Sequence, residues 1–157
     1  MRGDPKVVET LKKLLTSELT SMDVYFVQSR ILKDWGLDKI AARFDHEHED
    51  EKGHADKLID RILFLEGLPD MRTREEYELG KSVEEMIDVN LKHEIMISNN
   101  LKAAIKLCES VQDYETRSIL VELLRDTETD HINWLETQQS LIKNIGKERF
   151  CQSQIDN

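Results

Sequence analysis

Apolar residues recur along most of this chain at alternating steps of three and four, which is the spacing of one face of an α-helix. The first such stretch predicts a helix over residues 5–35, with Asp4 as its cap, Pro5 at its first position and Gly36 at its end. A second helix is predicted over 37–66. The connection between them is short, so the two helices are expected to form a hairpin.

The second half of the chain repeats this plan after a long connection. Residues 68–81 show no sustained period and contain turn-forming residues. A third helix is predicted over 82–110, opening with the capping sequence SVEE, and a fourth over 113–146. The tail, 147–157, is expected to add a short helix. Two hairpins joined by one long crossover predict an all-α four-helix bundle, and we expect a single domain over 1–157.

Each predicted helix places polar residues in the middle of its apolar stripe. These positions are Glu18, Glu51 with His54, Glu94, and Glu128 with His131. Because all of them lie near the centres of helices of similar length, they are expected to meet at one height inside the bundle. For Glu18 or Glu94 alone, a solvated charge on a wrongly rotated helix is an equally good interpretation, and for a single Glu-x-x-His pair it is the better one. Six positions in phase with four stripes favour the buried cluster.

The burial of four carboxylates requires compensation of their charge. Like charges in a dry interior repel one another and lose their hydration, so these groups must bind protons or cations. Two divalent cations cancel four negative charges, and neutral imidazoles complete the coordination. Carboxylate and imidazole ligands without thiolate suit iron or manganese, with zinc or cobalt as substitutes. The predicted chemistry is oxidation of Fe(II), with open positions for dioxygen or peroxide.

Composition and charge narrow the function further. The chain of 157 residues is 39% hydrophobic and 34% charged, and its net charge of -10 disfavours binding to nucleic acid. No apolar run approaches the roughly 20 residues that span a bilayer, and the start lacks an apolar signal core. Cys108 and Cys151 have no CxxC spacing and are expected to be reduced thiols. We therefore expect a cytoplasmic protein that binds no membrane.

Several stretches resemble the bacterioferritins, which belong to the ferritin-like superfamily, over essentially the whole chain. The matching stretches are MRGDPKVV, KKLLTSEL, DEKGHAD, RILFLEGLPD, DTETDHINWLE and CQSQI. The Glu and Glu-x-x-His pattern is the ligand set of ferritin-like carboxylate proteins, and His131 favours bacterioferritins over animal-type ferritins. The resemblance implies a cage of two dozen subunits that oxidises Fe(II) with O2 or H2O2, holds two irons per subunit and stores a ferric mineral.

The resemblance also assigns roles to individual residues. The implied terminal ligands are Glu18 and His54 on one iron and Glu94 and His131 on the other, with Glu51 and Glu128 as bridges. Tyr25 resembles a tyrosine that stands beside the ligands in this family, although an ordinary core aromatic fits its spacing equally well. His46 and Asp50 match an iron site on the inner surface of the cage, and a solvated acidic face is the alternative.

One position departs from the family pattern. Lys52 stands where most bacterioferritins have the methionine that ligates haem iron between two subunits, and a protonated lysine has no lone pair to donate. Haem b is therefore not expected in the homo-oligomer. The chain resembles a methionine-free subunit type, so a mixed cage with a haem-binding subunit is an alternative. Gly53 either allows a close subunit contact or is a tolerated weak point of the helix.

Three other functions compete with an iron-storing cage. A di-iron oxidase or peroxidase of the rubrerythrin type would normally add a CxxC iron module, and the chain contains no CxxC. A DNA-protecting mini-ferritin usually shares its metal site between subunits. A metal-free structural bundle would leave the buried carboxylates uncompensated.

Overall fold

The computed structural model describes residues 1–156, which form a bundle of four long helical rods. Its helices are α1 (Pro5–Asp34), α2 (Asp38–Phe64), α3 (Val83–Ser110), α4 (Tyr114–Asp126), α5 (Asn133–Ile145) and α6 (Lys147–Ser153). A π-helical segment, Thr127–Ile132, joins α4 to α5 in one rod. The predicted four-helix bundle with a long crossover and a short last helix is confirmed. The predicted tail reached Asn157, which lies outside the described residues. Among residues 1–156, no helix is long and apolar enough to cross a membrane.

Side-chain caps fix where the helices begin. The carboxylate of Asp4 accepts a hydrogen bond from a backbone N–H of the first turn of α1, where Pro5 needs no donor. Ser82 caps α3 by accepting from the backbone N–H of Glu85 at 3.2 Å. The Glu85 carboxylate in turn accepts from the backbone N–H of Lys81 at 2.7 Å. The sequence SVEE therefore forms a helix cap as predicted. The Glu85 carboxylate, however, accepts from the N–H of Lys81, one residue before the Ser82 N–H that a capping box uses.

The crossover between α2 and α3 is held against the bundle by polar contacts at Glu75. Its backbone N–H donates to the Thr20 hydroxyl at 3.0 Å, and its carboxylate accepts a hydrogen bond from Ser17. The other carboxylate oxygen lies 2.8 Å from Nε2 of the buried His93 on α3. The long connection is therefore an ordered part of the fold that joins α1 to α3.

Two apolar clusters fill the bundle on either side of its centre. One includes Leu11 and Leu15 of α1, Leu58 and Ile62 of α2, Leu101 of α3 and Leu120 of α4. The other includes Leu32 of α1, Ile40 and Phe44 of α2, Met86 and Ile87 of α3, and Leu135 of α5. The polar residues at mid-helix lie between these clusters, so the two apolar layers position a polar layer.

The fourth rod changes phase at the π segment. Its buried positions are Thr116, Leu120, Leu123, Thr127, His131 and Leu135. Val121, Leu124 and Glu128, which an uninterrupted α-helix would place on the same face as His131, are only partly buried, whereas His131 and Leu135 point inward. A π turn closes i→i+5 hydrogen bonds and holds more residues than an α turn, so an uninterrupted period of 3.6 fails across it.

Asp113 ties the start of α4 to α2. It accepts hydrogen bonds from the backbone N–H of Thr116 at 3.0 Å and from its hydroxyl at 2.6 Å. Arg61 on α2 donates to Asp113 at 3.1 Å and to the Thr116 hydroxyl at 2.8 Å. Burial would raise the pKa of Asp113, but the hydrogen bonds from Thr116 and the charge of Arg61 outweigh burial and lower it below its usual 3.8.

We predict that Asp113→Ala lowers the free energy of unfolding by about 2 kcal/mol at pH 7, because it removes a helix cap and leaves Arg61 without its partner. Because the pKa of Asp113 is lower in the folded chain than in the unfolded chain, its carboxylate contributes its full stabilisation at pH values above the unfolded pKa. The contribution is lost as the pH falls through the folded pKa. Denaturant unfolding at pH 7 and pH 3 measures the change.

The matched variant for this prediction is Asp113→Asn. Asparagine keeps an acceptor for the helix N–H and loses the charge, so a smaller loss of stability is expected. A loss for the alanine variant that has the same size at both pH values would contradict the role assigned to the carboxylate.

Candidate metal centre

Five of the six residues expected at the centre of the bundle lie together there. They form two groups of potential ligands, Glu18 with Glu51 and His54, and Glu51 with Glu94 and His131. Within each group the ligand atoms all lie within 4.8 Å of one another, and every one of these residues is buried. The two groups share Glu51, so its carboxylate lies between them.

The two histidines face Glu51 through the same ring nitrogen. Nδ1 of His54 lies 3.6 Å from Oε2 of Glu51 and 3.5 Å from Glu18. Nδ1 of His131 lies 2.9 Å from Oε1 of Glu51 and 3.4 Å from Glu94. The imidazole rings are stacked, with centroids 5.5 Å apart and planes 19° apart. Each oxygen of Glu51 therefore faces one histidine, which is the arrangement expected of a carboxylate that bridges two cations.

Many of the inward atoms have no hydrogen-bond partner. Within residues 1–156 this is true of both carboxylate oxygens of Glu18 and Glu51, one oxygen of Glu94, Nδ1 of His54 and both ring nitrogens of His131. Buried polar atoms are normally paired, and leaving them unpaired costs free energy. Oxygen and imidazole nitrogen are ligands that divalent iron accepts. The residues present therefore fit a pair of divalent cations.

Without a cation, protons compensate the charge. Burial raises the pKa of Glu18 to about 8, and the nearby charge of Glu51 adds to this. Burial would lower the pKa of His54, but the charge of Glu18 and a hydrogen bond with Asp126 outweigh burial and raise it. The carboxylates that face His131 raise its pKa in the same way, against the effect of burial. Cations that bind here must therefore displace protons.

Carboxylates also contact the outer nitrogen of each imidazole. An Asp126 oxygen lies 2.5 Å from Nε2 of His54, and a Glu47 oxygen lies 2.8 Å from Nε2 of His131. Arg43 donates to the other oxygen of Glu47 at 2.6 Å. In neutral His54, the hydrogen bond to Asp126 favours the tautomer with its proton on Nε2, which leaves Nδ1 free as a ligand. Sequence reasoning gave Asp126 and Glu47 no role, although Glu47 lies on the apolar stripe of its helix.

Glu128 does not join the centre. Its side chain is 41% exposed, and its carboxylate accepts a hydrogen bond from Ser98 at 3.0 Å and lies 2.8 Å from the Lys102 ammonium. The expectation that it points into the bundle beside His131 is wrong. The π segment is the physical reason, because it rotates the residues before His131 away from the phase of an α-helix.

Tyr25 lies at the edge of the centre. Its hydroxyl donates to Glu94 at 3.1 Å, and its ring meets Phe44 edge to face at a centroid distance of 5.4 Å. Burial raises the pKa of this hydroxyl well above 10.0, and Glu94 raises it further, so the phenol stays protonated. Tyr25 is thus a hydrogen-bond donor to a potential ligand as well as a core aromatic.

His46 and Asp50 also meet, on the outward side of the same region. Nε2 of His46 lies 3.4 Å from Asp50, which in turn lies 3.5 Å from Nε2 of His131. With Glu47 and Asp130, these residues form a further group that could hold a cation. The His46 side chain is 60% exposed. The geometry alone therefore fits both a peripheral cation site and a solvated acidic face.

Comparison with known proteins places the chain in a family. A sequence profile described as a ferritin-like domain matches residues 8–145. The chain belongs to the ferritin family. A protein named bacterial ferritin from Synechocystis is 47% identical over 155 residues, covering 99% of both chains. A bacterial ferritin from Pseudomonas aeruginosa is 46% identical over 99% of this chain and 100% of the relative. A bacterioferritin from Brucella melitensis is 39% identical over 97% of this chain and 94% of the relative.

Lys52, which stands where the resemblance places a haem ligand, directly follows Glu51 on α2 and points away from the buried centre. Lys52 is exposed and lines a groove of about 720 Å³ together with Met22, His48 and Met71. Gly53 lies beside it, and a Cβ added there would meet no atom of residues 1–156 within 4 Å. The glycine is therefore not required by packing within the subunit.

We predict that the metal-free ferritin becomes less stable as the pH rises from 4.5 to 8. Over this range the folded chain keeps a proton on Glu18, whereas the unfolded chain releases it near 4.5, so rising pH favours unfolding. The protonated His54 acts in the same direction above 6.5. Thermal unfolding in the presence of a chelator measures the slope.

The variant Glu18→Gln removes this titration and is expected to give a shallower decline. Glu49→Gln on the exposed face of α2 is the matched control and is expected to leave the slope unchanged. Equal slopes for wild type and Glu18→Gln would show that Glu18 does not hold the proton.

Proposed function

We propose that this ferritin binds Fe(II) at the buried centre, oxidises it to Fe(III) and stores the product as a ferric mineral inside an oligomeric cage. The observation that carries the proposal is the position of Glu51, whose two oxygens face two separate imidazole and carboxylate groups. Two Fe(II) ions held on one bridge deliver two electrons together, which is the requirement for reducing O2 or H2O2 without releasing a one-electron product. The proposed enzyme activity is ferroxidase, with O2 or H2O2 as the oxidant.

Individual ligand roles are part of this proposal. Glu18 and His54 would hold one iron, Glu94 and His131 the other, and Glu51 both. Glu128, the second bridge that the resemblance implied, lies 2.8 Å from the Lys102 ammonium, so its carboxylate would have to turn inward to bind iron.

The residues around the ligands set the proton balance. Asp126 accepts the Nε2 proton of His54, so its Nδ1 lone pair is directed toward the substrate iron. Iron binding releases the protons that Glu18 and the imidazoles hold in the metal-free protein. Tyr25 donates to Glu94 and fixes the direction of that carboxylate. Each residue thus holds a ligand in the protonation state that iron binding requires.

A peripheral iron position at His46 and Asp50 belongs to the same proposal. Asp50 lies within 3.5 Å of both His46 and His131, so it connects the exposed face of α2 to the buried centre. Iron bound between His46 and Asp50 would lie on the route from the buried centre to the surface. This supports the inner-surface iron site that the resemblance implied.

Assembly and location extend beyond the single chain. We propose that residues 1–157 form one ferritin-like di-iron domain and that 24 such subunits form the cage, either alone or mixed with a haem-binding subunit. Haem b is not expected in the homo-oligomer, because Lys52 offers no ligand. We place the cage in the cytoplasm, without a nucleic-acid or membrane partner, in line with its net charge of -10.

We predict that the assembled protein takes up two Co(II) or Fe(II) ions per subunit and oxidises Fe(II) when oxidant is added. Glu51→Gln removes the shared carboxylate, so it is expected to lose both bound cations. It should also slow Fe(II) oxidation by more than about 100-fold, since removing even an outer partner of a ligand costs about 10–100-fold. Equilibrium titration and the rise of ferric absorbance provide the two measurements.

The control variant is Glu49→Gln, two residues away on the exposed face of the same helix, which should bind and oxidise iron as wild type does. Fewer than one cation per subunit in the wild type would contradict the proposal. Unchanged iron oxidation in Glu51→Gln would contradict it as well.

A further inference from the structure

A group of possible cation ligands lies outside the buried centre, between α2 and the π segment of the fourth rod. It consists of His46, Glu47, Asp50 and Asp130, and one ligand atom of each lies within 4.8 Å of the others. We call this set the peripheral group. One oxygen of the buried Glu47 has no hydrogen-bond partner among residues 1–156. Buried carboxylate oxygens are normally paired, so this oxygen favours a cation site over a solvated acidic face.

Arg43 already contacts two members of the peripheral group. Its Nε donates to Glu47 at 2.6 Å, and its Nη2 donates to Asp130 at 2.9 Å. The guanidinium also lies over the ring of Trp134, with Cζ 4.7 Å from the ring centroid. The Arg43 side chain is only 25% exposed. Two carboxylates and an aromatic ring therefore hold a permanent positive charge within the peripheral group.

A guanidinium and a metal ion compete for the same carboxylate oxygens. A carboxylate that accepts hydrogen bonds from Arg43 is already neutralised, and two positive charges in one small group repel each other. The third carboxylate, Asp50, instead lies 3.4 Å from Nε2 of His46. A cation that enters the peripheral group therefore finds His46, Asp50 and the unpaired Glu47 oxygen, and it must displace Arg43 to gain more ligands.

The buried centre contains no such competitor. Within residues 1–156, the charged partners of Glu18, Glu51 and Glu94 are the imidazoles of His54 and His131. An imidazole can release its proton and become a ligand, whereas a guanidinium cannot. The two places where cations can bind therefore differ in whether their own positive charge can be removed.

We propose, on the basis of the function proposed above, that Arg43 is a built-in competitor of iron at the peripheral group. Arg43 makes this group a weak site, so iron is retained at the buried centre and passes through the peripheral group without accumulating there. Arg43 thus determines the order in which the two kinds of site fill.

The test is a Co(II) titration of the assembled full-length protein, followed by calorimetry and by the visible absorbance of bound Co(II). The wild type is expected to bind two ions per subunit at the centre and a third more weakly. Arg43→Gln removes the competing charge, so it should tighten the third ion by about tenfold or more and keep the two central ions.

The matched control is Arg30→Gln. Arg30 also donates to a carboxylate, that of Asp45 at 3.1 Å, and its Cζ lies 4.8 Å from the ring centroid of Phe26. Its contacts involve no member of the peripheral group, so the third ion should keep its wild-type affinity. The double variant Arg43→Gln with His46→Ala is expected to lose the gain, because His46 supplies the only imidazole of the group.

An unchanged third ion in Arg43→Gln, an equal gain in Arg30→Gln, or a gain that survives His46→Ala would overturn the inference. Loss of a central ion in Arg43→Gln would overturn it as well, because it would show that Arg43 acts by holding Glu47 against His131. A wild type that binds no Co(II) at the centre would instead refute the proposed function.

A measurement on the wild type keeps the test decisive if Arg43→Gln fails to assemble. In crystals soaked at high Co(II) concentration, an anomalous peak at the peripheral group should appear together with an Arg43 side chain that has left Glu47 and Asp130. A fully occupied peak with Arg43 still bound to both carboxylates would overturn the inference.

Discussion

The burial of three carboxylates in an apolar bundle is the constraint on which the rest of this structure depends. Glu18, Glu51 and Glu94 lie between two apolar clusters, and most of their oxygens have no hydrogen-bond partner within residues 1–156. Such an arrangement is unfavourable unless protons or cations neutralise it. The raised pKa values of Glu18 and His54 indicate that bound protons neutralise the carboxylates in the absence of metal. The two ligand groups that share Glu51 provide positions for cations.

The remainder of the fold holds these groups in place. Apolar layers above and below the centre fix the heights of the helices, and the crossover joins α1 to α3 through Glu75. Asp126 and Glu47 contact the outer nitrogens of the two imidazoles. A site whose ligands are held on rigid helices and by second partners is preformed, so cation binding needs little rearrangement.

The helical period of apolar residues predicted the inward-facing residues correctly in three rods and incorrectly in the fourth. In α1, α2 and α3 one apolar stripe fits each helix, and the stripes place Glu18, Glu51, His54 and Glu94 inward as observed. In the fourth rod, Leu120 with Leu123 and Val121 with Leu124 are two apolar stripes one residue apart, and the sequence does not distinguish them. His131 fixed the phase on its own side of the π segment, which led to the wrong placement of Glu128. The spacing of apolar residues does not indicate where a single π turn interrupts an α-helix. Such a turn is less favourable than an α turn and is stabilised by tertiary contacts.

The most direct test of this account is the anomalous scattering of crystals soaked with Co(II) or Fe(II), measured at the absorption edge of the metal. The account predicts two peaks inside each subunit, one beside Nδ1 of His54 and the other beside Nδ1 of His131, with the Glu51 carboxylate between them. Buried carboxylates without any peak beside them, or metal found only at surface residues such as His46, would contradict it.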